Sequence, residues 1–157
     1  MWLILAATLI STGNALIRKI FGTSSNAWLE IQWYLFGAMF LLAAGYTLKH
    51  NGHVRIDIFY NRLGPRGQAW VDLIGGLLFL LPMAGLLAWL AWPMFHEAWV
   101  THEMSPDAGG LVRWPVKLLL PAGFALLALQ GVAEVIKRIG VLSGHMELPR
   151  EAPEEEV

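Results

Sequence analysis

The chain of 157 residues contains no cysteine. Disulfides, thiolate nucleophiles and cysteine metal sites are therefore excluded. Charge is also scarce: 15% of the residues are charged and 56% are hydrophobic, whereas a soluble domain carries about 25% charged residues. The formal net charge is −1, so no basic footprint for nucleic acid is present, and nucleic acid is not an expected partner. What charge there is avoids four long stretches, and that avoidance is the first structural signal.

The four charge-free runs are Trp2 to Ile17, Ile31 to Leu48, Leu73 to Phe95 and Leu118 to Ala133. A helix needs roughly 20 mostly apolar residues to cross about 30 Å of hydrocarbon. The first and fourth runs are short, but Arg18, Lys19 and Lys117 at their ends are long enough to snorkel to the interface. Seven of the eight tryptophans lie near the ends of the proposed spans, and Trp99 lies just beyond the third. Indole favours that boundary, where its ring is apolar and its N–H stays wet. The strand-length alternation of a barrel is absent.

The sequence thus predicts an all-α integral membrane protein: four transmembrane helices over about 2–20, 28–49, 70–95 and 115–137 in one domain, 1–143. Pro82 predicts a kink in the third span, and Pro115 and Pro121 are placed in the first turns of the fourth. The opening "MWLILAATLISTGNA" has an apolar core without a basic segment before it, and reads as a span rather than a signal peptide. The native chain is expected to begin earlier. The acidic tail 144–157, "SGHMELPREAPEEEV" with its preceding turn, is expected to be disordered.

Orientation follows from basic residues in short loops. With both termini cytoplasmic, Lys49, Arg55, Arg62, Arg66, Lys137, Arg138 and Arg150 lie inside. Arg18, Lys19, Arg113 and Lys117 lie outside. Seven against four favours this arrangement, although Arg18 and Lys19 argue locally for the reverse.

Between the second and third runs stands "NGHVRIDIFYNRLGPRG", Asn51 to Gly67. Ile56, Phe59, Tyr60 and Leu63 share one helical face, at spacings of three and four. The expected element is a short amphipathic connector lying in the membrane plane, with its arginines against anionic phospholipid. Gly64 and Pro65 stop it before the third span.

"HVRID" between two spans, His53 to Asp57, resembles the small membrane subunit, or DctQ-type small permease, of tripartite ATP-independent periplasmic (TRAP) transporters. "GNALIRKIF" (Gly13 to Phe21) is similar to the end of that family's first span, and "WLEIQWYLFG" (Trp28 to Gly37) to the start of its second. "HEMSPDAGGLVRWPVK" (His102 to Lys117) is similar to the loop before its last span, and "LQGVAEVIKRI" (Leu129 to Ile139) to its closing helix. The ordered set runs from about Ile10 to Leu142. The resemblance implies a bacterial inner-membrane subunit of a secondary importer of organic acids. It also implies two protein partners: a large multi-span permease, which carries the substrate and coupling-ion sites, and a periplasmic substrate-binding protein. The small subunit would brace the scaffold of the large one.

The chain's own chemistry is compatible with a supporting role. Glu30, Asp72, Glu97 and Glu134 lie near span ends, and no mid-span acid, base or broken helix pair marks a substrate path. The sequence predicts neither an enzyme nor a cofactor: no nucleophile and base share a depth. All five histidines, His50, His53, His96, His102 and His145, lie outside the charge-free runs, where haem ligands would be needed. The rival assignment is a small anchor subunit of another complex, either a tripartite tricarboxylate-type transporter or a redox complex.

Several residues are candidate partner or lipid contacts. His53, Arg55 and Asp57 either grip a partner as an ion-paired cluster or remain solvated loop charges against lipid headgroups. Arg18 either binds a lipid phosphate or partner carboxylate, or simply snorkels. Asn14, four residues before it, and Trp114, at the start of the last span, complete the span-end set. Glu30 is placed to complement the dipole of the second helix or to meet a partner. Glu103 and Ser105 lie on the proposed outer face, either as a docking site for the binding protein or as an ordinary polar loop. Glu134 is expected to pair with Lys137 and Arg138 along its own helix. Ala84 and Ala88 offer a small-residue packing face.

Overall fold

A computed structural model describes residues 2–23, 25–50, 60 and 62–145. Four long helices account for nearly all of them: α1 (Trp2–Phe21), α2 (Asn26–Lys49), α3 (Pro65–Val100) and α4 (Trp114–Leu142). Each is long and apolar enough to cross a membrane. Among the described residues the only β pairing is an isolated antiparallel bridge between Met104 and Val112. The all-helical, four-span expectation therefore holds. Residues 51–59 and 61 of the connector and nearly all of the acidic tail lie outside the described residues, and with them His53, Arg55 and Asp57.

The helices outrun the apolar runs. α3 begins at Pro65 and ends at Val100, and α4 runs on to Leu142. At 1.5 Å per residue, the 36 residues of α3 span about 54 Å, against about 30 Å of hydrocarbon. The excess falls largely at its polar first turns, around Arg66, Gln68 and Asp72. Pro65 opens the helix where a backbone donor is not required. Pro115 similarly opens α4, but Pro121 sits buried inside that helix rather than in its first turns.

The disturbance expected at Pro82 takes the form of a π-helical segment, Gly76–Leu80, immediately before it. Its closing bond runs from the Leu81 N–H to the Gly76 carbonyl, five residues back. Pro82 supplies no N–H to the carbonyl one turn earlier, and widening the ladder before it accommodates that loss.

Packing follows the spatial order α1, α2, α4, α3, a row in which α4 holds the two neighbours with most contact and α1 lies at the edge on α2. The seams are made by small residues. Ala69, Ala84 and Ala98 of α3 are buried, as are Gly123, Gly131 and Val135 of α4. Among the described residues no large side chain is fully buried, and leucine, isoleucine, valine or aromatic side chains point outward along every helix. Lipid tails are as apolar as those side chains, so helix contact here depends on close backbone approach and polar bonds.

Candidate functional site: two polar clusters at the helix ends

The α3–α4 connection, residues 101–113, is an ordered hairpin rather than a loose loop. α3 ends with the Glu103 N–H on the Ala98 carbonyl and the His102 N–H on the Trp99 carbonyl, the Schellman pattern. His102 takes the positive φ that this motif requires, at 49°. Backbone bonds then run from Ser105 N–H to Leu111 O, and from Arg113 N–H to Glu103 O, both 2.9 Å. The turn closes from Gly110 N–H to Asp107 O, with Gly109 at φ +72°.

One stripe of α2 holds this hairpin. Asn26, Glu30 and Tyr34 are four residues apart, so their side chains leave the same helix face. The Asn26 amide donates to the Ala108 carbonyl at 3.0 Å. The two Glu30 carboxylate oxygens divide their work: one accepts the Ser105 hydroxyl, and the other accepts the Leu111 N–H at 2.6 Å. The Tyr34 hydroxyl donates to the Val112 carbonyl at 3.0 Å. Arg113 reaches Ser105 Oγ at 3.5 Å, and Lys117 pairs with Glu103. The Trp114 ring meets that of Trp99 edge-on, with centroids 4.6 Å apart.

A second cluster sits at the other end of the α3–α4 seam. Arg138 pairs with Asp72 at 3.0 Å, the two side chains being 14% and 17% exposed. The hydroxyl of Tyr60, a connector residue, donates to the same Asp72 oxygen at 2.8 Å. Glu134 accepts from Lys137 and from Gln130, both at 2.8 Å. Thus Lys137 follows the expected intrahelical pairing, whereas Arg138 turns across to α3. Above this cluster, a groove of about 850 Å³ opens between α3 and α4 beside the π segment, lined by Gly76, Phe79, Leu80, Gly131 and Val135.

The predicted site residues thus divide. Glu30, Ser105, Glu103 and Trp114 come together at the hairpin, and the bonds of Glu30 run to that hairpin rather than to its own helix end. Asn14 is the one buried polar side chain among the described residues. Arg18 is exposed and makes no ion pair among them. Asn26, Tyr34, Asp72 and Arg138 were not singled out for cross-helix roles by the sequence, although the polar stripe at i, i+4 and i+8 was visible at the head of an apolar run. Among the described residues, no three His, Asp or Glu side chains gather as a metal site.

Four apolar helices joined through polar clusters at their ends define a multi-pass membrane protein. Residues 7–140 match the family described as tripartite ATP-independent periplasmic transporters, DctQ component, and the chain belongs to that family. It is therefore the small permease subunit of a TRAP transporter. A comparison with curated proteins found no match.

Proposed function

We propose that this chain braces the large permease of a TRAP-type importer of an organic acid in the bacterial inner membrane, with both termini cytoplasmic and transport driven by a coupling-ion gradient. The observation that carries the reading is where the polar chemistry lies. The described charged clusters tie helix ends together, while the span interiors present mainly apolar side chains to their surroundings. A carrier would hold polar groups halfway across. A brace needs broad apolar faces and stiff ends. In this orientation the hairpin 101–113 faces the periplasmic binding protein, and the Tyr60–Asp72–Arg138 cluster faces the cytoplasm. Arg18 and the connector residues His53, Arg55 and Asp57 meet the large subunit or phospholipid.

The test is co-expression with the large permease of the same system, followed by reconstitution. The chain is expected to co-purify with that subunit, and reconstituted alone it neither binds nor transports an acid. Acid uptake by this chain alone in liposomes would overturn the reading.

A further inference from the structure

We propose that Glu30 is a positioning residue for docking: it holds the hairpin 101–113 in the one shape that a folded soluble partner recognises. This rests on the reading above, in which that hairpin faces the binding protein.

A two-stranded hairpin in water is marginally stable by itself, and this one has a single bridge, Met104 to Val112. Its order comes from beneath. The Glu30 carboxylate joins the two sides of the hairpin, taking Ser105 on one and Leu111 on the other. The fit is close at Gly110. A Cβ there would lie 2.4 Å from Ser105 Cβ and 2.9 Å from Glu30 Oε1, so a side chain would displace the clasp. The hairpin leaves His102, Met104 and Pro106 exposed, while Asp107, also exposed, borders the α2 stripe of Asn26, Glu30 and Tyr34. Met104 is 55% exposed, an adaptable apolar contact beyond the end of α3. The nearby cations are engaged within the protein, Arg113 of the hairpin with Ser105 and Lys117 of α4 with Glu103. This exposed surface therefore suits a protein surface better than lipid phosphates.

Without the carboxylate, the Leu111 N–H and the Ser105 hydroxyl lose their shared acceptor, and docking must first order the hairpin. Pre-organisation of that kind alters affinity without altering the contacts made. The experiment uses the two-subunit complex in nanodiscs on a biosensor, titrated with the soluble binding protein of its own system. Glu30→Ala is expected to raise the half-saturating concentration roughly three- to tenfold, with the complex itself intact by size exclusion. Glu30→Gln keeps one acceptor oxygen and should give a smaller rise. Gly110→Ala breaks the same clasp from the other side, so it should match Glu30→Ala and add little to it in the double variant.

Unchanged affinity in Glu30→Ala and Gly110→Ala, with the complex intact, would overturn the assignment, as would full additivity of the two. If Glu30→Ala dissociates the complex, Gly110→Ala decides by the same affinity readout. Failure of the unaltered complex to bind the soluble protein would instead remove the docking reading, and this role with it.

Discussion

Gly123 and Gly131 both lie on α4 and both are buried, yet replacing each with alanine should give different results. At Gly123 an added Cβ would lie 2.8 Å from Leu41 Cβ, 3.0 Å from the Leu41 carbonyl oxygen and 3.2 Å from its carbon. Two of those three atoms are backbone. Restoring even a 3.4 Å contact from 2.8 Å moves α2 away by about 0.6 Å, since no rotamer change relieves backbone. At Gly131 the nearest atoms are the terminal methyls of Leu80, at 2.3 Å, and Leu81, at 3.1 Å. The Gly131 clash is shorter but softer, because those methyls swing aside. Overpacking costs about 1–3 kcal/mol, and glycine to alanine in a helix returns up to about 1 kcal/mol. Gly123→Ala should therefore destabilise the α2–α4 seam by about 1–2 kcal/mol. Gly131→Ala should fall within about 0.5 kcal/mol of neutral.

The absence of cysteine makes the assay clean. A Cβ built at Gly45 lies 3.7 Å from Gln130 Cβ, within the disulfide range of about 3.5–4.5 Å. A Gly45→Cys, Gln130→Cys pair on the same seam should therefore cross-link α2 to α4 under a mild oxidant. Adding Gly123→Ala is expected to slow that reaction several-fold and lower the denaturation midpoint, while Gly131→Ala changes neither appreciably. Equal cross-linking and equal stability for the two variants would refute the distinction between backbone and side-chain contact on which the argument rests.

Two further outcomes follow from the helix ends. Asp72→Ala and Arg138→Ala each leave a mostly shielded charge short of its partner; each should cost about 1–3 kcal/mol in denaturant titration, the double less than the sum, and strict additivity would show that the pair is not coupled. His102→Gly relieves a positive φ in a side-chain-bearing residue and should raise stability by about 0.5–1 kcal/mol; a loss of stability would mean that the imidazole makes a contact worth more than that relief.

The spans were legible in the sequence because lipid demands long apolar runs, and nothing else in a chain of this size produces four of them. The helix ends were less so. Hydropathy marks where hydrocarbon ends, not where backbone bonding ends, so residues Pro65 to Ala69, Phe95 to Val100 and Arg138 to Leu142 continue helices beyond or at the edge of the spans that the pattern predicts. The partners of Glu30 were hidden for another reason. Ser105 and Leu111 lie 75 and 81 residues away, and local spacing carries no information about such bonds. Arg138 shows the same limit. Its spacing from Glu134 permits an intrahelical pair, but Lys137 satisfies that carboxylate, and the arginine reaches Asp72 instead. A better signal was available in Asn26, Glu30 and Tyr34: a hydrogen-bonding stripe along one helix face implies a polar partner across it.

The two kinds of contact divide the protein by depth. Within the membrane, association has no hydrophobic drive, so helices stay together only where backbones approach closely or polar groups bond. α4 has both. Gly123 and Gly131 admit its neighbours at mid-helix, and Lys117 and Arg138 engage the hairpin and α3 near its two ends. α1 has much less: its described contact is with α2, and its one buried polar side chain is Asn14. Stiffness should therefore decline along the row from the α3–α4 pair to α1. In the proposed bracing role, α4, the helix that links both polar ends, is the element placed to carry load, and a partner surface over the outward face of α1 would add rigidity there.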